Sequence, residues 1–193
     1  DLEFSRKKLF FGSNELDSYF GLSGSFQENV YNGLPLIPNH RSFGSGVYLI
    51  ERMIFSKSSL EAGIRFDRMS RTAYMGERDF EAHQRRGNLD TQQCDYENGV
   101  ARCPMDYSAI SWSVGGLWQP IPETLELKID ISTANRMPNP DELFLLGTAP
   151  TFPIFAIGNP SLDTEKTTGI SPTIGVDTEF FNSELSTYAN LSR

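Results

Sequence analysis

Residues 125–131 read LELKIDI. Leu125, Leu127, Ile129 and Ile131 fall on one side of an extended chain, and Glu126, Lys128 and Asp130 on the other. The period is 2, which is the signature of a strand with one apolar and one polar face. The same alternation recurs upstream. Leu60, Ala62, Ile64 and Phe66 oppose Glu61, Gly63, Arg65 and Asp67, while Ile110, Trp112, Val114 and Trp118 alternate with Ser111, Ser113, Gly115 and Gln119. Downstream, Ile170, Ile174 and Val176 oppose Gly169, Ser171, Thr173, Gly175, Asp177 and Glu179. With the weaker runs included, the pattern predicts about eight strands, at 2–11, 18–31, 42–56, 59–74, 107–120, 123–133, 167–181 and 184–193. Several exceed the five to six residues usual in soluble domains and suit the ~9–11 that a tilted strand needs to cross a bilayer.

The connections point the same way. In order they are Gly12–Asp17, Asn32–Arg41, Lys57-Ser58, Met75–Asp106, Ile121-Pro122, Thr133–Lys166 and Asn182-Ser183, alternating short and long throughout. In an up-and-down barrel alternate connections lie at opposite ends, so the short ones gather at one rim and the long ones at the other. Phe55, Trp118 and Phe180 each stand within about three residues of a short turn, where an aromatic girdle belongs on a membrane barrel. The same rings would also suit the end of a soluble core. Two places resist the pattern. VYLIERMIF, residues 47–55, holds adjacent charges; placing Glu51 on the polar face puts Tyr48, Ile50 and Ile54 on the apolar one and leaves Arg52 to snorkel. Pro172 predicts a bulge or local break in its strand.

Composition bounds the rest. The 193 residues carry a net charge of −8, which argues against a nucleic-acid partner. No run of 18 or more apolar residues exists, so no transmembrane helix is expected; barrel strands are not excluded. The chain opens and closes in mid-pattern and without a signal peptide, and so reads as an internal fragment of a barrel domain spanning 1–193. Cys94 and Cys103 flank Asn98-Gly99, a tight-turn pair, and a turn there would bring the sulfurs together. A loop-closing disulfide is expected in an oxidising compartment; two unpaired loop thiols are the alternative. With His40 and His83 the only histidines, no closed metal site is expected, nor any cofactor. No nucleophile elbow, phosphate loop, HExxH or EF-hand motif is present, and nothing singles out a carboxylate pair such as Glu61 with Glu126 for glycoside hydrolysis, so no enzyme is predicted. The charged run Glu77, Arg78, Asp79, Glu81, His83, Arg85 and Arg86 reads first as a solvated loop, second as a ligand contact.

The loop after LELKIDI carries the most specific pattern. Residues 131–166 read ISTANRMPNPDELFLLGTAPTFPIFAIGNPSLDTEK. Asn139 is an N-cap, Pro140 suits the first helical position, Glu142 stands where a capping box needs it and Gly147 is a stop, so a helix of about two turns is predicted. Arg136 and Glu142 form a candidate ion pair. The order of Ser132, Arg136, Pro138, Glu142, Leu143, Phe144, Gly158, Asn159, Pro160, Leu162, Glu165 and Lys166 resembles a signature of TonB-dependent outer-membrane receptors. A second segment, with Pro38, Glu51, Leu60, Gly63, Arg65 and Asp67, is similar to another part of those barrels.

The resemblance implies an all-β fold, with eight antiparallel strands forming part of a 22-stranded plugged barrel and one short helix in a long extracellular loop. The family's plug and C-terminal closing strand fall outside the segment. Glu61, Arg65, Asp67, Glu126, Lys128 and Asp130 then face the lumen, and Phe55, Trp118 and Phe180 the lipid interface. The implied function is energy-coupled uptake of a scarce solute, most often a ferric siderophore, across the outer membrane of a Gram-negative bacterium. Its partners would be TonB with its inner-membrane complex, the ligand and outer-membrane lipid. A passive porin-like channel and a secreted β-sandwich binding module are the competing readings.

Overall fold

The structure, a computed structural model, describes residues 2–5, 9–12, 14–31, 36–87, 89, 94–148 and 153–193. One antiparallel sheet dominates. Its path runs β1 (Leu2–Ser5), β3 (Asn14–Asn29), β4 (Asn39–Ile54), β5 (Ser58–Gly76), β7 (Val100–Ile121), β8 (Leu125–Arg136), β11 (Glu165–Asp177) and β12 (Asn182–Ser186). Three short strands attach to this path: β2 (Leu9–Phe11) on β3, β6 (Asp95–Glu97) on β7 and β13 (Ala189–Ser192) on β11. Two helices, α1 (Glu77–Arg86) and α2 (Pro140–Phe144), and a hairpin of β9 (Leu146–Thr148) with β10 (Phe155–Ile157) occupy the long connections. The eight predicted strands are all there, with neighbours in sequence adjacent in the sheet. The sheet is a barrel segment and does not close on itself, and among the described residues the other sheet is the two-stranded β9–β10 hairpin.

Two predicted strands are interrupted. Expected strand 2–11 becomes β1 and β2, with residues 6–8 outside the described set. Expected strand 184–193 becomes β12 and β13. That second break replaces the one anticipated at Pro172. β11 runs unbroken against β8 through the Pro172↔Ile129 pair. The backbone groups of Pro172 point the other way, where its carbonyl accepts from Thr187 N at 3.1 Å. The missing N–H therefore faces the edge, and the edge strand breaks between Ser186 and Ala189.

Register makes two continuous faces. Across β4, β5 and β7, Val47–Phe66–Ile110 form one row and Leu49–Ile64–Trp112 the next. β8 continues it with Ile131 opposite Val114, and β11 with Ile170 opposite Ile131. This apolar face is open: Phe20, Phe26, Phe43, Phe66, Ile110, Trp118, Ile129, Ile174 and Leu185 are all exposed. The opposite face carries Glu61, Arg65 and Asp67 from β5 and Glu126, Lys128 and Asp130 from β8, brought to one side by the pairs Gly63↔Ser113 and Gly115↔Asp130.

β4 corrects the sequence reading. Tyr48, Ile50, Arg52 and Ile54 pair with Arg65, Gly63, Glu61 and Ser59 and stand on the polar face; Glu51 pairs with Ala62 and stands on the apolar one. VYLIERMIF has apolar residues on both sides, so its own pattern is ambiguous and its neighbours decide. On the polar side Arg52 lies between Asp17 and Glu61, and the Tyr48 ring lies flat over Gly21, where any Cβ would clash with it. On the other side Ser18 Oγ donates to Glu51 Oε2 at 2.6 Å, three residues from the end of β4, where a carboxylate costs little even beside lipid.

A face this apolar, with two open sheet edges, drives self-association. Residues 1–193 produced alone are expected to aggregate in buffer and to disperse only with detergent. A monodisperse, cooperatively melting monomer in plain buffer, by size exclusion and calorimetry, would overturn the assignment of that face.

Candidate functional site

The long connections fold together against one end of the polar face. β5 and β7 extend past their predicted ends and stay paired to Gly76↔Val100. Between them lies α1, a helix where the charged run predicts a solvated loop. Its signals were present: Glu77 and Asp79 in the first turn, His83, Arg85 and Arg86 in the last, and Gly87 at φ 68° closing it with an N–H to Gln84 O at 3.0 Å. β6 then turns through Asn98 and Gly99, both at positive φ, into β7. The pair Asp95↔Arg102 places the preceding and following residues opposite each other, and Cys94 and Cys103 are joined as a disulfide. Phe80 of α1 stacks on Tyr96 of β6 with ring centroids 5.7 Å apart.

Cys103, Ala101, Ala73 and Met75 form the wall beneath, and α2 rests on it. Leu143 is 0% and Phe144 1% exposed. Each such burial contributes roughly 1.5–3 kcal/mol, which supplies what a five-residue helix lacks by itself. The start of α2 follows the sequence: Asn139 as N-cap, Pro140 next, and Asn139 N donating to Glu142 Oε2 at 2.7 Å. Its end does not. The helix stops at Phe144, before Gly147, because its last carbonyls are taken by another segment. Gly158 N donates to Leu145 O at 2.6 Å and Asn159 N to Glu142 O at 2.8 Å. This contact explains the Gly-Asn-Pro part of the signature. A Cβ on Gly158 would come within 2.5 Å of Leu143 C and 2.6 Å of Phe144 N, both backbone atoms. Pro160, also buried, follows in the turn.

Arg136, Glu142 and Glu165 form one network. Arg136 Nη1 and Nη2 donate to the two Glu142 oxygens at 2.9 Å each, and Nε and Nη2 reach Glu165 Oε2 at 3.0 and 2.8 Å. Glu165 is the register partner of Arg136. The fork is bidentate but solvated, so its geometry orders the loop more than its energy stabilises it. The Arg136 guanidinium, then the Asn139 N–H, hold the Glu142 carboxyl below the usual glutamate range. Arg71 is a third anchor, one that no local motif marks. Arg71, 3% exposed, donates through Nε to Ser42 Oγ at 2.9 Å and through Nη1 to Pro138 O at 2.5 Å, tying β4, β5 and the loop. Its signal was its parity with Arg65 and Asp67 on the polar face.

Further along that face, Arg65 grips Asp67 through Nε at 2.7 Å and reaches Ser23 Oγ at 2.8 Å, with the Tyr48 ring 5.8 Å from its guanidinium carbon. Tyr48 Oη donates to Glu3 Oε2 at 2.8 Å. Beside them the sheet encloses a concavity of about 580 Å³ lined by Tyr19, Ile50, Ser113 and Ser132. Lys128 pairs with Glu126 at 2.6 Å. Glu61 and Asp130 face Gly115 from either side. Among the described residues no group of His, Cys, Asp and Glu is arranged to hold a metal ion. The three aromatics near short turns are placed differently. Trp118 stands on the apolar face opposite Leu127, Phe55 begins the β4–β5 turn, and Phe180 is 93% exposed in the β11–β12 turn.

An open antiparallel sheet with one apolar exposed face, one charged face, tight turns at one end and structured loops at the other is a segment of a transmembrane β-barrel. The family model described as TonB dependent receptor-like, beta-barrel, matches residues 1–192, and the chain belongs to that family. No curated protein matches it in sequence. Among solved structures it is similar to the Serratia marcescens hemophore receptor HasR in complex with its hemophore HasA and heme (TM-score 0.69, 15% identity, 97% of this chain and 31% of that one). It is also similar to the copper transporter OprC (0.64, 15%, 96% and 29%) and to the ferric-catecholate import receptor Fiu of E. coli K12 (0.54, 13%, 96% and 29%). The chain thus spans under a third of each. The family is one of receptors and transporters, and its barrels are outer-membrane proteins of Gram-negative bacteria.

Two measurements test the loop. Gly158→Ala should destabilise it by about 1–3 kcal/mol through overpacking, read as faster hydrogen exchange at Leu143 and Leu145 in the intact receptor with the strand amides unchanged. Because the Glu142 pKa is depressed on folding, its contribution is complete above the ordinary glutamate value of about 4.3 and is lost as pH falls below it. Exchange protection of α2, corrected for intrinsic rates, should therefore be flat at neutral pH and decline only in acid. In Arg136→Ala, where the Glu142 pKa returns toward its ordinary value, protection at neutral pH should be lower and the acid decline smaller.

Proposed function

We propose that this chain is wall and mouth of an outer-membrane receptor that imports a scarce solute, an iron chelate in the first instance. The segregation of faces carries the reading. The apolar rows on β3, β4, β5, β7, β8 and β11 meet lipid, with Trp118, Phe55 and Phe180 at the rim of short turns. Glu61, Arg65, Asp67, Glu126, Lys128 and Asp130 line the lumen, where water or a plug keeps them hydrated or paired. The loops bearing α1 and α2 form the extracellular mouth, and the Arg136–Glu142–Glu165 network and Gly158 hold the signature loop against the wall. Iron is favoured because two of the similar receptors are described with heme and with ferric catecholate. TonB and its inner-membrane complex act through a part of the receptor outside this segment, and no bond in the cargo need be broken.

The test is uptake by the complete receptor in cells lacking their own iron receptors. Accumulation of a radioiron catecholate or of heme, abolished by deleting TonB, is the expected result. Uptake that persists without TonB would identify a passive channel. Copper-only uptake would reject iron as cargo. The lipid face has its own check: Ile64→Arg, in the middle of the apolar rows, should cost about 2–4 kcal/mol and reduce the yield of folded, heat-modifiable barrel. Thr72→Arg, toward the mouth on the same face, should not.

A further inference from the structure

On β5 and β7 the apolar face gives way at a cation. On β4, β5 and β7 the rows from the short turns upward are Met53–Leu60–Gly116, Glu51–Ala62–Val114, Leu49–Ile64–Trp112 and Val47–Phe66–Ile110. The next row is Ser45–Arg68–Ser108, followed by Phe43–Ser70–Asp106. Ser45, Arg68, Ser70 and Ser108 are all exposed. The Arg68 side chain makes no hydrogen bond or ion pair among the described residues, in contrast to Arg41 on the same face, which is paired with Glu28 at 2.7 Å. Leu60 and Arg68 are eight residues apart, about 26 Å along a strand rising ~3.3 Å per residue. At a tilt of about 40° that projects to roughly 20 Å, against an apolar band about 25 Å tall on such barrels. Arg68 therefore stands near the upper margin of that band, about one row short of it, with Phe66 below it and Phe43 on the row above.

We propose that Arg68, with the hydroxyls of Ser45 and Ser108, docks the phosphate of an outer-leaflet lipid whose chains lie along Val47, Phe66 and Ile110. The patch is continuous with the lipid-facing rows, so a molecule seated there has an apolar body below and meets a guanidinium flanked by two hydroxyls at its head. A guanidinium offers a phosphate two parallel N–H donors, and the hydroxyls on either side can donate to the remaining oxygens. The carboxylate of Asp106, one row further from the apolar band, marks where the phosphate must stop. The inference rests on the membrane reading of the apolar face, and the test separates the two.

The complete receptor is purified in mild detergent, loaded with dioleoyl phosphatidic acid or with dioleoylglycerol, which has the same chains and no phosphate, and examined by native mass spectrometry. Wild type should retain the phosphatidic acid at least fivefold more than the diacylglycerol. Arg68→Gln should abolish that preference, Ser45→Ala with Ser108→Ala should reduce it, and Arg102→Gln, on the same face but nearer the mouth, should leave it unchanged. Heat-modifiability confirms that each variant is folded. Millimolar inorganic phosphate should not displace the lipid; if it does, the site takes phosphate and not a lipid, and the proposal fails. Equal retention of both lipids by wild type, or undiminished preference in Arg68→Gln, overturns the phosphate site alone. Retention of neither lipid overturns the membrane reading as well.

Discussion

In an apolar layer every backbone N–H and C=O has to be paired within the protein, and the ladder between neighbouring strands is what pairs them here. That requirement orders the rest of the molecule. A ladder in register locks side-chain parity from strand to strand, so one choice of face on β5 propagates to β3, β4, β7, β8 and β11. The charges of Arg65, Asp67, Lys128 and Asp130 gather on one side because Leu60, Ile64, Phe66, Ile129 and Ile131 occupy the other. Pro172 shows the constraint locally: its missing donor is tolerated because it points at the edge strand, and the edge strand gives way.

The mouth depends on that wall. β5 and β7 run on beyond the apolar rows and remain paired, which carries Ala73, Met75, Ala101 and Cys103 up to where α2 can cover them. The Cys94–Cys103 bond and α1 complete this surface from one side, and Arg71 reaches across it to the Pro138 carbonyl. Gly158 then lets a second backbone approach close enough to take the carbonyls that α2 leaves open. The family signature is thus a packing device: Arg136, Glu142, Leu143, Phe144, Gly158 and Glu165 hold one loop in one place.

Local pattern and lateral register carried different information. Leu125–Ile131 and Leu60–Asp67 alternate so cleanly that their strands, faces and turns follow without a neighbour. Asn98-Gly99 and Asn139-Pro140 announced their turn and helix start. α1 is also written in local charges and Gly87, but a run so rich in charge suits a solvated loop equally well. VYLIERMIF could not be oriented from within, since both of its faces are largely apolar.

By itself the sequence determined the eight-strand path of the main sheet, the ends at which short and long connections lie, and the motif that marks the family, because period, turn chemistry and spacing are properties of adjacent residues. Only the tertiary structure decided that Tyr48 and Arg52 face the polar side and Glu51 the other, that α2 ends at Phe144, that Arg71 meets Pro138, and that Arg68 tops the apolar rows between two serines. Each of these depends on what a neighbouring strand or loop places opposite, and hydrogen-bond register between distant segments is written in no single stretch of chain.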